Sequence, residues 1–157
     1  MDDDGVTGFE GVFDHANEVL PELVSEGVIR AEERARMAVA VFARKKRDLL
    51  APFEGNGKFH GLVVERYEMN PLADAAWGNY ERDGDRELLA TTQALFFRAT
   101  FLPSLITSLD NRHDAEARRT FCDRMQQKLT ERIRQQPHPV HTYVQMIVLA
   151  KEAARPE

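Results

Sequence analysis

Few residues in this chain could do chemistry, and each can be weighed by its spacing. Gly55-Asn56-Gly57-Lys58-Phe59-His60-Gly61 has the outline of a phosphate-binding glycine loop. Such a loop works because a helix N-terminus follows the glycines and turns its backbone N–H groups on the phosphate. Here the last glycine comes one residue late, and the residues after it have strand composition, so the segment reads as a turn. His138 and His141 are three apart, but Pro139 stands between them and no helix can present both on one face. Without a Cys or carboxylate cluster beside them they read as part of a solvated loop and not as a zinc site. Cys122 has no histidine near it in sequence and reads as a small buried helix residue rather than a nucleophile. Arg44-Lys45-Lys46-Arg47 could meet a phosphate or an acidic partner, yet such a run is more often a solvated helix start. Arg98 interrupts an apolar helix face, and a buried guanidinium needs a carboxylate. A structural tether is therefore favoured for it over a substrate contact. The sequence holds no paired carboxylates, Ser-His-Asp order or helical zinc motif.

The chain that must position these residues has 157 of them, one domain's worth, of which 43% are hydrophobic and 30% charged. That is the composition of an ordinary globular protein with a core, not of a disordered one. A net charge of −5, from 26 acids against 21 bases, argues against a general nucleic-acid or membrane-surface binder. The longest uncharged stretches near the middle, Leu88–Phe97 and Ala99–Leu109, fall short of a membrane span. One cysteine cannot make an intramolecular disulfide, and Met1-Asp2-Asp3-Asp4 is acidic where a leader would be basic. A soluble, cytoplasmic protein is the expectation.

Hydrophobic periodicity sets the elements. Val12, Phe13, Ala16, Val19, Leu20, Leu23 and Val24 recur at steps of three and four, predicting an amphipathic helix over about Glu10–Glu26, kinked at Pro21 and stopped by Gly27. A short helix or turn covers Ala31–Met37, and another short helix Asp48–Phe53. Phe59–Met69 reads as a strand and Asn70–Arg86 as an irregular connection. Helix resumes over Glu87–Leu109, broken or kinked at Pro103. Asp114 can cap a long helix to about Gln135, with Phe121, Met125, Leu129 and Ile133 as its inward stripe. His141–Lys151 reads as a second strand. Its Met146–Ala150 run is apolar on both faces, as in a sheet covered on both sides. The fold expected from the residues alone is mostly helical with two strands. Two strands rarely hold a domain sheet alone.

Three stretches carry a resemblance. Val12-Phe13-Asp14 through Leu23-Val24-Ser25-Glu26-Gly27-Val28-Ile29 to Ala40-Val41-Phe42 is similar to the segment after the cofactor domain in the salicylate/jasmonate/caffeine (SABATH) methyltransferases. Phe96-Phe97-Arg98-Ala99-Thr100-Phe101-Leu102-Pro103-Ser104-Leu105 resembles that family's cap helix, and Tyr143–Lys151 its final strand. The likeness covers residues 10–151, leaving an acidic tail at 1–9 and a short tail at 152–157.

The resemblance implies an α/β fold, the C-terminal part of a Rossmann-like methyltransferase fold: a mostly α-helical cap that closes over the acceptor, with Phe59–Met69 and His141–Lys151 as an antiparallel strand pair. It implies methyl transfer from S-adenosylmethionine to a small carboxylic acid or, in some members, a ring nitrogen. Only the family's second half is matched; its glycine-rich cofactor loop and ribose-binding acid have no counterpart in these residues. No catalytic, cofactor-binding or metal-ligating residue is therefore assigned, and the partner implied is an N-terminal cofactor-binding half. The family's acceptor pocket falls on Val12, Phe13, Phe42, Phe97, Thr100 and Thr142, although the three phenylalanines read equally as core. Ala43-Arg44-Lys45-Lys46 replaces the usual proline and hydroxyl residues, and Thr100 stands where an aliphatic residue is usual, so the plant acceptors do not carry over. The alternative is a stand-alone, non-catalytic binding module derived from the cap. Either way, the open edge of the last strand predicts self-association.

Overall fold

The computed structural model describes residues 8–39, 41, 44–55 and 57–151. In chain order these form α1 (Glu10–Ser25), α2 (Ala31–Arg36), α3 (Lys46–Leu50) continued by a 3₁₀ turn (Ala51–Phe53), and β1 (Lys58–Phe59). There follow β2 (Leu62–Leu72), α4 (Ala75–Asp83), α5 (Arg86–Thr100), α6 (Leu102–Ile106), α7 (Ala115–Gln135) and β3 (Thr142–Lys151). The described chain is thus mixed α/β, with seven α-helices and a three-stranded antiparallel sheet. It divides into two compact units.

The helical unit holds α1, α2 and α4–α7. Three aspartates start its helices by accepting the N–H three residues on: Asp74 from Trp77 at 3.0 Å, Asp85 from Leu88 at 2.9 Å and Asp114 from Ala117 at 2.8 Å. Each such cap contributes about 1 kcal/mol. Gly84 ends α4 at φ +71° and donates its N–H to the Tyr80 carbonyl at 2.8 Å, a conformation that costs a side-chain-bearing residue more. The core is built on the α7 stripe, since Phe121, Met125, Leu129 and Ile133 are all buried. They share one cluster with Val12, Ala16, Val19 and Leu23 of α1 and with Ala90, Ala94 and Phe97 of α5. Ala90 and Ala94, one turn apart and fully buried, present no bulk on that side of α5. Each fully buried Leu, Ile, Met or Phe contributes about 1.5–3 kcal/mol.

The strand unit holds α3 and the sheet, in the order β1-β2-β3. β2 and β3 pair antiparallel from Leu62↔Lys151 to Leu72↔Thr142, the pairing expected of the two segments. A bulge between Val64 and Arg66 lets β3 stay regular while β2 takes an extra residue. Inside this unit Tyr67 donates to Gln145 Oε1 at 2.9 Å, and Gln145 Nε2 donates to the Arg44 carbonyl at 2.7 Å. The Lys46 ammonium lies 4.9 Å from the centroid of the Tyr67 ring.

Several expectations are corrected. Phe59–Met69 is not one strand: Phe59 belongs to β1, and the chain reverses at His60-Gly61 to start β2, so the sheet has three strands. Both turn residues have positive φ, +51° and +77°, which a two-residue turn matched to strand twist requires. The span Asn70–Arg86 is not irregular, because β2 continues to Leu72 and α4 fills Ala75–Asp83. Pro71 lies in β2 opposite Tyr143 of β3, where β2 has no second neighbour because β1 ends its pairing at Val63. The Met146–Ala150 run is not covered on both faces, since Met146 and Leu149 are exposed.

Candidate functional site

The residues implicated by sequence are spread over both units. Val12 and Phe97, at 4% and 1% exposure, are core side chains of the helical unit. Phe13 is half-buried against that core, and Thr100 is exposed at the end of α5. Thr142 opens β3 in the strand unit, opposite Leu72. Phe42 lies outside the described residues.

Within the helical unit, Phe13 and Phe97 meet on a third ring that the sequence did not single out. Phe101 stands edge-on to Phe13 at 4.9 Å between centroids and tilted against Phe97 at 5.6 Å. Phe9 stacks on Phe96 at 5.3 Å with 8° between planes, and both rings turn edges to Phe101. Offset-stacked and edge-to-face rings add about 0.5–1.5 kcal/mol per pair beyond their burial. Why α5 gathers them is a matter of period: Phe97 and Phe101 are one turn apart, and Pro103 closes α5 just past Phe101. Phe96 remains 45% exposed, so the cluster has a wet rim beside a dry centre. Such a ledge can receive a flat apolar body.

Other candidates resolve as follows. Arg98 leaves the apolar face of α5 to pair with Asp123 of α7 at 2.6 Å and to donate to Gln126 at 2.8 Å, the expected structural tether. Burial pushes the Cys122 thiol up from its ordinary value, the Arg98 charge opposing, which is the reverse of what a nucleophilic thiolate needs. Two open cavities in the helical unit, of about 320 and 360 Å³, involve none of the implicated residues. The first lies between α4 and α5 beside Tyr80, Asp85 and Leu88; the second lies beside Leu20, Ala31 and Met37.

Sequence reasoning missed Glu33, whose side chain is fully buried. It accepts the backbone N–H groups of Arg30 and Asp110, each at 2.9 Å, and His113 Nε2 at 3.0 Å. Arg30 and Arg36 both pair with Asp110 outside it, and Arg36 and Ser108 exchange hydrogen bonds with each other's carbonyls at 3.0 Å. The pairing joins residues about 80 positions apart, and no local pattern announces it. It fastens α2 to the loop before α7.

The glycine-rich segment ends in the β1–β2 hairpin and is followed by a strand and not a helix, in keeping with its reading as a turn. No family model matches the chain, and no curated protein matches it. Among the described residues, no helix is long and apolar enough to cross a membrane.

Proposed function

We propose that this chain supplies the acceptor-side cap of an S-adenosylmethionine-dependent methyltransferase that acts on a small carboxylic acid or a ring nitrogen, in a cytoplasmic setting. The cofactor would be held by a separate Rossmann-type half. The observation that carries the reading is the aromatic ledge, in which Phe13 and Phe97 converge on Phe101 while Phe96 and Thr100 stay accessible. A carboxylate acceptor is already ionised at neutral pH, so this chain is asked for no general base. Its task would be to hold the acceptor in one orientation and keep water from its reacting oxygen. Aromatic side chains suit that work, and the Thr100 hydroxyl at the rim could fix a polar end.

A stand-alone binding module is the second reading, favoured by one fact: the ledge is complete within the helical unit. Titration of the purified chain with benzoate, octanoate and xanthine, followed by NMR, tests both. Shifts confined to Phe9, Phe13, Phe96 and Phe101 support an acceptor ledge. Methyl transfer on adding a cofactor-binding half then selects the cap reading, and binding without transfer selects the module. The chain alone is expected not to bind S-adenosylmethionine; micromolar affinity by calorimetry would overturn the cap reading and point to a complete enzyme.

A further inference from the structure

Three segments of the helical unit bring two imidazoles and an unpaired amide oxygen together. His15 of α1 is buried at 5% exposure, and its ring centroid lies 5.3 Å from that of His138, in the segment after α7. His15 Nε2 is 3.0 Å from the Gln136 carbonyl oxygen. A carbonyl only accepts, so Nε2 carries a hydrogen there, and in the neutral imidazole Nδ1 keeps the lone pair. Histidines that ligate metals are held in this way, one nitrogen donating to a carbonyl and the other turned to the ion.

Gln93 of α5 reaches the same segment and donates its Nε2 to the His138 carbonyl at 2.9 Å. Gln93 is itself 6% exposed, and its Oε1 is buried with no hydrogen-bond partner. An unpaired buried acceptor is uncommon in a folded protein, and an ion or its water is one of the usual reasons for it. Gly11 adds a further detail. A side chain there would come 3.2 Å from His138 Cβ and Cγ, so the bare backbone of α1 is what lets the His138 ring pack so close. His138 as a residue is exposed, which gives an ion a way in.

We propose that His15 Nδ1 and a ring nitrogen of His138 bind one divalent d-block cation, Zn²⁺ or Cu²⁺, and that a water on this cation donates to Gln93 Oε1. Borderline cations accept imidazole readily, and a site of two neutral nitrogens with no carboxylate disfavours Mg²⁺ and Ca²⁺. Cu²⁺ binds more tightly than Zn²⁺ at such a site. The proposal is independent of the methyltransferase reading.

Calorimetric titration of the chain with Zn²⁺ and with Mg²⁺ tests it, alongside His138→Ala and His141→Ala. His138 is at the surface, so its replacement leaves the fold in place, whereas His15→Gln removes a buried side chain and is read only together with imidazole ¹⁵N spectra of the wild-type chain. One equivalent of Zn²⁺ is expected to bind and Mg²⁺ not. His138→Ala should weaken Zn²⁺ at least tenfold and His141→Ala less than twofold, and the His15 Nδ1 resonance should move on loading. Equal losses in the two alanine variants would mean Zn²⁺ scattered over surface imidazoles. That result, an unchanged His138→Ala or an unmoved His15 resonance would overturn the site.

Discussion

Lys128 and Glu22 meet across the α1–α7 seam at 2.7 Å, and the same ammonium reaches Glu26 at 2.7 Å. Arg132 takes Glu18 and the other oxygen of Glu22, and Arg124 takes Glu26 at 2.8 Å. Acids at 18, 22 and 26 thus run down one face of α1 while bases at 132, 128 and 124 run up α7, which makes the helices antiparallel. Spacing by four keeps each row on one helix face.

The seam should titrate at both ends of the pH scale. Hydrogen bonds from Lys128 and Arg132 hold the Glu22 carboxyl below its ordinary 4.5, against the effect of burial. A depressed carboxylate contributes stability above that value and loses it as pH falls through the folded one. Hydrogen bonds to Glu22 and Glu26 raise Lys128 above 10.5, so its contribution is present below that value and fades as pH rises past it. Thermal stability should therefore fall below about pH 4.5 and above about pH 10.5. Because the seam is partly solvent-screened, Lys128→Met should cost about 1 kcal/mol or less at neutral pH and flatten both slopes. Unfolding midpoints measured from pH 3 to 11 check this.

Glu33 should matter more. Burial pushes its carboxyl up, but the Arg30 N–H, the His113 hydrogen bond and the charges of both residues outweigh it, leaving a net lowering from 4.5. The contribution is therefore present above 4.5 and lost as pH falls through the lower folded value. Glu33→Gln at pH 7 should cost about 3 kcal/mol, since it leaves His113 and Arg30 facing a neutral group. Urea unfolding at pH 7 and pH 4 is the check, and the gap between variant and parent should narrow in acid.

The α7 stripe and the Arg98 tether were open to inspection in the sequence because both follow from one helix period. Four apolar residues every fourth position can only face one way, and a guanidinium on an apolar face must find an acid. Other features had no such local mark. In α4, Gly78 and Asn79 and then Glu81, Arg82 and Asp83 break the apolar rhythm, and the Asp74 and Gly84 caps are all that announce a helix. β1 is two residues long and defined only by its partner. Phe101 was visible as a residue but not as the ring on which Phe13 and Phe97 meet, because that depends on α1 and α5 coming together in space. The same holds for His15 and His138, which no spacing rule links.

The His60-Gly61 turn offers a direct gain. His60 adopts φ +51°, which side-chain-bearing residues disfavour and asparagine tolerates best. His60→Asn should stabilise the chain slightly, seen as a higher midpoint in urea with an unchanged slope, the easier φ outweighing the lost ring contact with Phe59.

The outer edge of β3 carries the last prediction. Val144 and Met146 are exposed on one face of that strand and Leu149 on the other, and Lys151 is its one charged residue. Edges without charge or proline invite pairing with another strand. Sedimentation of the purified chain should show association that grows with concentration, and Met146→Lys should return it towards monomer. A monomer at high concentration, with strongly protected β3 amides, would count against an open edge.

β2 and β3 are neighbours in the sheet, yet about 70 residues of the helical unit separate them along the chain. During synthesis, at roughly 5–20 residues per second, β2 therefore emerges several seconds before its main partner exists. In that interval it can pair only with the two residues of β1. The intervening helices, whose contacts are more local, can settle first and shorten the loop that must then close. Ribosome pausing or slow codons between Ala75 and Gln135 should thus favour correct assembly, while pausing just before Thr142 would prolong the life of an unpaired strand.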